Sequence, residues 1–523
     1  MNVFKTIHKS AWVSVLSLAL LSSCDKGFEE LNTNPDASPF IQPGYMFTKA
    51  QMDVFSNSYY STGVLAAGGS MQHYATYKDV PGIGDKYYFQ QGSYPYDYFQ
   101  NAYPTAVNEI TEVIRAVSGN PAQVNLLSVA RIWRVYTMHR ITDLYGDIPY
   151  SEAGKGLTDN LYTPKYDAQQ AIYADMLKEL EEAAAAFNTS QATMGTADLI
   201  YNGDITKWKK LAYSLMLRLS MRMTKVDAAT AQTWAKKAIA GGVITTDADV
   251  ARINYVANGQ NFNWNPYAAA LRGADLSTSS FGQNNTEGGK FAKTFIDHLK
   301  TTQDPRLGVL SVVWRNEGTT ATPKYVADTS RTIQKGMTNG LLAKPADFGT
   351  YSEPNPNVLL KYDTPVIVIS AAEVNLLLAE AAVRGWYTGE DAATAYAKGV
   401  TSAMKNWTLF GAAGVITDNQ IKGYLAANTF PTSGTTEAKL DAINTQLWVS
   451  LYPDEQEVWA NYRRSGYPKL TPVNVPGNAT GGTIPRRLLY PPTEESVNST
   501  QVNIAIQRQG RNELTTRMWW DKQ

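Results

Sequence analysis

Apolar residues recur at helical spacing in this chain, in stretches that come two at a time across short breaks. That pattern limits the folds open to it. Val107, Ile110, Val113, Ile114 and Val117 mark one face of a helix. Gly119-Asn120-Pro121 stops it and starts a second helix over 122–142, with Leu126, Leu127, Ala130, Ile132, Trp133 and Tyr136. Two helices joined by a short turn make an αα-hairpin. A second pair is expected at 166–187 and 205–223, and a shorter helix at 228–240 ends at Gly241-Gly242. A helix over Met46–Val64 precedes them, and the periodicity returns at 367–384, 389–407 and 436–463.

Between these stretches the pattern fails. Residues 67–98 carry Gly68-Gly69, Pro81-Gly82, Gly92 and Pro95 among many tyrosines, which reads as a long aromatic loop. Residues 250–360 show one helix, at 290–301, and short strands near 307–314 and 323–328. From Gly466 onward the chain is loop-like and proline-rich. The expected fold class is mainly α: a tetratricopeptide-like scaffold of helix pairs with an irregular, loop-rich insert. The scaffold covers about 40–250 and 361–465, the insert about 251–360, and an irregular C-terminal segment 466–523.

The N-terminus adds a location. Lys5 and Lys9 precede an apolar run from Ala11 to Leu21, too short for a bilayer span of about 20 residues. It reads as a secretory signal over residues 1–23. Leu20-Leu21-Ser22-Ser23-Cys24 reads as a bacterial lipobox, with Cys24 lipidated and first in the mature chain. Residues 24–39 are then a polar tether to a membrane-anchored body.

Cys24 is the only cysteine, so its lipidation leaves no thiol for disulfides, zinc–cysteine sites or nucleophilic catalysis. Lys+Arg and Asp+Glu are both 47, which argues against a nucleic-acid partner. No H-E-x-x-H, Walker or G-x-S-x-G motif occurs, and His8, His73, His139 and His298 lack metal-ligand spacing. His139 reads as structural, and Asp143 and Asp147 as loop and cap residues. Neither a cofactor nor a metal is expected.

One stretch does carry recognition chemistry. In Asn261-Phe262-Asn263-Trp264-Asn265-Pro266-Tyr267, two large rings stand three apart among amides. Sugar rings stack their C–H faces on such rings while amides bond their hydroxyls. A buried Trp packing an irregular loop explains the same residues equally well.

Several blocks resemble one family nearly end to end. After Cys24 comes Phe28-Glu29-Glu30-Leu31-Asn32-Thr33-Asn34-Pro35. Tyr145-Gly146-Asp147-Ile148-Pro149-Tyr150 and Asp304-Pro305-Arg306-Leu307 follow, then the helix Ala371 to Ala381. Glu457 to Pro468, with Arg463-Arg464-Ser465-Gly466-Tyr467-Pro468, and Arg486-Arg487-Leu488-Leu489-Tyr490-Pro491 close the series. The chain resembles the SusD/RagB-like nutrient-binding outer-membrane lipoproteins.

The resemblance implies a single SusD-like domain over 40–523, with the irregular insert as its ligand-binding face, that captures oligosaccharides without being an enzyme. It also implies anchorage at the outer surface of the outer membrane and delivery of glycans to a SusC-like TonB-dependent transporter. The shared blocks look structural, so ligand residues are expected in the loops. Trp264 and Tyr267 are expected to stack, then Tyr74, Tyr77 and Phe281, with Asn263, Asn265 and Asn284 as hydroxyl partners. A docking lid with a peptide or other nutrient as ligand is the alternative.

Overall fold

The structure, a computed structural model, describes residues 42–56, 58–79, 82–88, 94–273 and 287–522. The signal segment, Cys24 and the tether to residue 39 lie outside the described residues, as do Phe281 and Asn284.

The expected helix pairs form. Numbering the longer α-helices in order, α1 is Pro43–Ser56, α2 Asn108–Val117, α3 Val124–Tyr145, α4 Gln169–Ala186, α5 Ile205–Arg222 and α6 Ala228–Gly241. In the insert lie α7, Pro266–Gly273, and α8, Lys293–Thr301. The second half adds α9 Ala371–Val383, α10 Ala392–Lys405, α11 Asp418–Ala427, α12 Thr436–Ser450, α13 Glu455–Ser465 and α14 Ser499–Gln509. Consecutive helices pack on one another from α2 through α6, α9 packs on α10 and α12, and α12 on α13. This is the tetratricopeptide-like stacking of helix pairs.

Local chemistry sets the ends. Asp204, Ser370 and Asp391 accept backbone N–H bonds at the starts of α5, α9 and α10. Thr417 and Gln420 form a reciprocal cap on α11. Gly466 ends α13 at φ +84°, a conformation that costs an L side chain more than glycine.

Some boundaries differ from those expected. The Met46–Val64 helix is two elements: α1, and a π-helix at Tyr59–Gly68 entered through Ser58 at φ 57°. The 436–463 helix is also two, α12 and α13, because Pro453 lacks an N–H to continue the ladder. The apolar run at 366–369 is a strand, with Ser370 starting α9 behind it. Residues 306–310 are helical ahead of their strand, and the C-terminal segment holds a short helix, Pro492–Val497, besides α14.

Sheets are small and antiparallel. β1 (Tyr74–Thr76) pairs with β5 (Gly289–Phe291), which ties the early loop to the insert. β2 (Ile148–Pro149) pairs with β3 (Tyr166–Asp167). β4 (Ala251–Ile253) pairs with β9 (Val366–Ile369) where the insert leaves and rejoins the scaffold. Within the insert, β6 (Ser311–Asn316) lies between β7 (Tyr325–Asp328) and β8 (Glu353–Pro354).

One apolar core runs from Phe47 to Trp520, and five of the twelve tryptophans, Trp133, Trp208, Trp448, Trp459 and Trp520, are fully buried in it. Threaded through it is a set of buried charge pairs, each with at least one partner from the shared sequence blocks. Arg218 holds Glu373 at 2.6 Å, Arg464 holds Glu380 at 2.9 Å, Arg306 holds Asp304 at 2.5 Å, and Arg222 bonds Glu457. Burial alone would raise the Glu380 carboxyl, but Arg464 and Arg384 hold it down to about 2. Removing one partner of such a pair costs about 3–5 kcal/mol, because a buried charge is left alone.

Asp143 lies in the last turn of α3 rather than in a loop, and it accepts from Tyr173 and from Trp520 Nε1 at 3.1 Å. Asp147 accepts the Gln169 N–H at 2.7 Å at the start of α4, as a cap residue does.

Candidate functional site

The segment that follows β4 turns outward through Gly259, at φ +96°, and comes back as a helical turn at Asn261–Asn263. Val256 N–H donates to Asn263 O at 3.0 Å, closing that loop. Asn265 then anchors the segment to the chain before β9. Its N–H donates to Tyr362 O at 2.9 Å and its Nδ2 to Thr364 O at 3.0 Å. Its Oδ1 accepts from Tyr267 N at 2.8 Å, which starts α7.

This anchoring sorts the expected ligand residues. Asn265 is 3 % exposed with its amide committed, so it is a helix cap and not a hydroxyl partner. Tyr267 is 4 % exposed and stacks on Tyr59 at 3.8 Å and 20°, because the first turn of α7 faces the scaffold. Both line a narrow cavity of about 50 Å³, room for a few waters and not for a sugar ring. Tyr74 is equally inward: β1 sets it opposite Phe291, with ring centres 5.7 Å apart, and its hydroxyl bonds Tyr452 Oη at 2.9 Å. Neither tyrosine presents a face to a ligand from solution.

Trp264 points the other way. Half-buried, it stacks on Tyr362 at 4.1 Å and 7°, and its Nε1–H donates to Ala257 O at 3.1 Å. It lines a groove of about 700 Å³ between the insert and α1, a size that suits an oligosaccharide segment. Asn261 and Phe262 stand beside it, and Tyr45, Met52 and Tyr60 face it from the scaffold. Tyr45 and Phe262 are 76 % and 65 % exposed, among the most exposed large aromatics described.

Tyr45, Lys49, Met52 and Ser56 repeat at helical spacing along α1, while Phe47, Ala50, Val54 and Phe55 bury its other side. Sequence reasoning did not single out Tyr45, Tyr60 and Phe262, which the fold brings to the groove. A cue was available in Tyr45, an aromatic set on the face of α1 opposite the core stripe.

The groove carries little net charge. Lys49 bonds Asp53 at 2.5 Å and also Glu109, so its cation is matched by acids. Burial raises the Glu109 carboxyl to about 7, against the bond from Lys49. Such walls fit a neutral, hydroxylated ligand better than a phosphate or a polycation.

Asn263 and Tyr77 do not line the groove. Tyr77 sits edge-on to Phe348 at 5.3 Å, beside a second small cluster of Ala75, Ala292, Met337 and Phe348, and donates to Glu287 at 2.7 Å. The buried trio His139, Asp143 and Glu457 brings its ligand atoms within 4.8 Å. Arg222 bonds both of those carboxylates and Arg218 lies 3.8 Å from Glu457. Burial and the arginines push His139 well below its ordinary range. The trio is part of the scaffold's charge pairing.

The scaffold is built of helix pairs, and its insert opens an aromatic, nearly neutral groove against α1. The chain belongs to the SusD-like family described as starch-binding and associating with the outer membrane, which it matches over residues 35–491. SusD-like proteins bind carbohydrate and are not catalytic.

Solved relatives agree in fold. A chitin-binding protein is 32 % identical with a TM-score of 0.80, over 92 % of this chain and 100 % of that one. A SusD homolog from Bacteroides uniformis is 26 % identical with a TM-score of 0.76, over 92 % and 99 %. A chitin-binding SusD homolog from Flavobacterium johnsoniae is 24 % identical with a TM-score of 0.75, over 92 % and 98 %. No curated protein matches the chain. No described helix is long and apolar enough to cross a membrane.

Proposed function

We propose that this protein captures neutral oligosaccharides in the groove between α1 and α7 and delivers them to a SusC-like TonB-dependent transporter. It does so at the cell surface, held by a lipid on Cys24. The observation that carries the reading is the convergence of Tyr45, Phe262 and Trp264 on one groove whose charges are internally matched. Aromatic faces bind the C–H faces of sugars, and Asn261 and Ser56 offer bonds to hydroxyls. Chitin oligosaccharides are the first ligands to test, given the 32 % identical chitin-binding relative.

Calorimetry with a chitin tetrasaccharide tests this. Trp264→Ala should weaken binding roughly tenfold, about 1.4 kcal/mol, with the melting temperature nearly unchanged. An unchanged Kd removes Trp264 from the site. Wild-type protein that co-purifies with a transporter but binds no glycan would favour a docking lid with another nutrient as ligand.

A further inference from the structure

The surroundings of Trp264 hold a device that the groove reading does not use. Its indole lies flat on Tyr362, 4.1 Å away and only 7° from parallel. The Arg272 guanidinium carbon lies over the same Tyr362 ring, 4.2 Å from its centre. Two groups that each lie about 4 Å over one ring centre cannot share a face of it, so Arg272 covers the face that Trp264 leaves. The result is a three-layer stack, with guanidinium, phenol and indole in order.

Each layer is tied down. Arg272 sits in the last turn of α7 and its Nε donates to Leu360 O at 2.6 Å. The Tyr362 backbone carbonyl accepts the Asn265 N–H at 2.9 Å. The indole Nε1–H is committed to Ala257 O. Trp264 therefore offers the groove no hydrogen-bond donor, and the ring face not covered by Tyr362 is the one left for a sugar. A free, half-exposed indole would have to be ordered by the ligand, at the expense of affinity.

We infer that Tyr362 and Arg272 are positioning residues: neither lines the groove, and together they hold the Trp264 ring in the orientation in which a sugar stacks on it. The inference rests on the proposed binding role of the groove. It deepens that role by assigning part of the affinity to preorganisation and not to contact.

The test uses the full mature protein labelled with 5-fluorotryptophan, with the Trp264 resonance assigned by its loss in Trp264→Phe. In the free protein, Tyr362→Ala should shift and broaden that resonance, and Tyr362→Phe, which keeps the ring, should leave it near its wild-type position. With a chitin tetrasaccharide, Tyr362→Ala should weaken binding roughly three- to tenfold. Tyr362→Phe should restore the affinity, and the Trp264→Ala/Tyr362→Ala double variant should bind no more weakly than Trp264→Ala alone.

Arg272→Lys keeps the charge but loses the planar layer, and should move the resonance and the affinity in the same direction by less. That variant carries the test if Tyr362→Ala unfolds. An unmoved Trp264 resonance, or additive losses in the double variant, overturns the inference. If Trp264→Ala itself leaves binding intact while Tyr362→Ala still disturbs the resonance, the groove reading fails and the stack stands only as structure.

Discussion

Tyr74 and Tyr77, and Trp264 and Tyr267, are two aromatic pairs with the same spacing of three, and each pair splits between core and surface. Tyr74 and Tyr267 are buried, one in a strand and one in the first turn of a helix. Tyr77 and Trp264 are half-buried. The outward members differ in what they face. Trp264 lines a large groove with Tyr45 and Phe262, whereas Tyr77 is engaged by Phe348 and Glu287. Exposure alone does not make a recognition ring; it also needs empty volume in front of it and a fixed support behind it.

The comparison breaks most visibly at the inward members. Tyr74→Ala and Tyr267→Ala should each lower stability by about 3–5 kcal/mol in urea unfolding. A cost below about 1 kcal/mol for either would mean that its ring is not in the core. The outward members should separate by ligand affinity. Tyr77→Ala should change the Kd for a chitin tetrasaccharide less than about twofold, against roughly tenfold for Trp264→Ala. Equal losses would move the site toward Tyr77.

The smallest effect distinguishes the two inward hydroxyls. Tyr74 Oη has a partner in Tyr452, and Tyr74→Phe should cost about 1 kcal/mol. Tyr267 Oη has none among the described residues, so Tyr267→Phe should be neutral or slightly stabilising in the same assay.

The scaffold was legible because long amphipathic helices repeat their apolar residues many times over. Short elements were not. Val366–Ile369 has too few residues to separate a buried strand from the start of a helix, and one proline, Pro453, is a weak signal inside a long periodic run. The shared blocks were recognisable as structural, and the structure gives the reason in pairs such as Arg218–Glu373 and Arg464–Glu380.

The groove was half legible. Part of the segment 261–267 does line the groove, but which of its rings turns inward depends on Asn265 capping α7 and on its bond to chain about 100 residues later. Tyr45 could not be joined to Phe262 without the fold, since α1 and the insert are far apart in sequence.

The start of α1 at Pro43, two residues before Tyr45, puts the groove next to the entry of the chain into the body. In the anchored state proposed above, the segment from Cys24 to Pro43 reaches at most roughly 65 Å when fully extended. One lip of the groove, at Tyr45, lies within a helical turn of the point where that segment joins the body. A captured glycan would then sit at the tethered end of the body, nearer the membrane attachment than the far helices are.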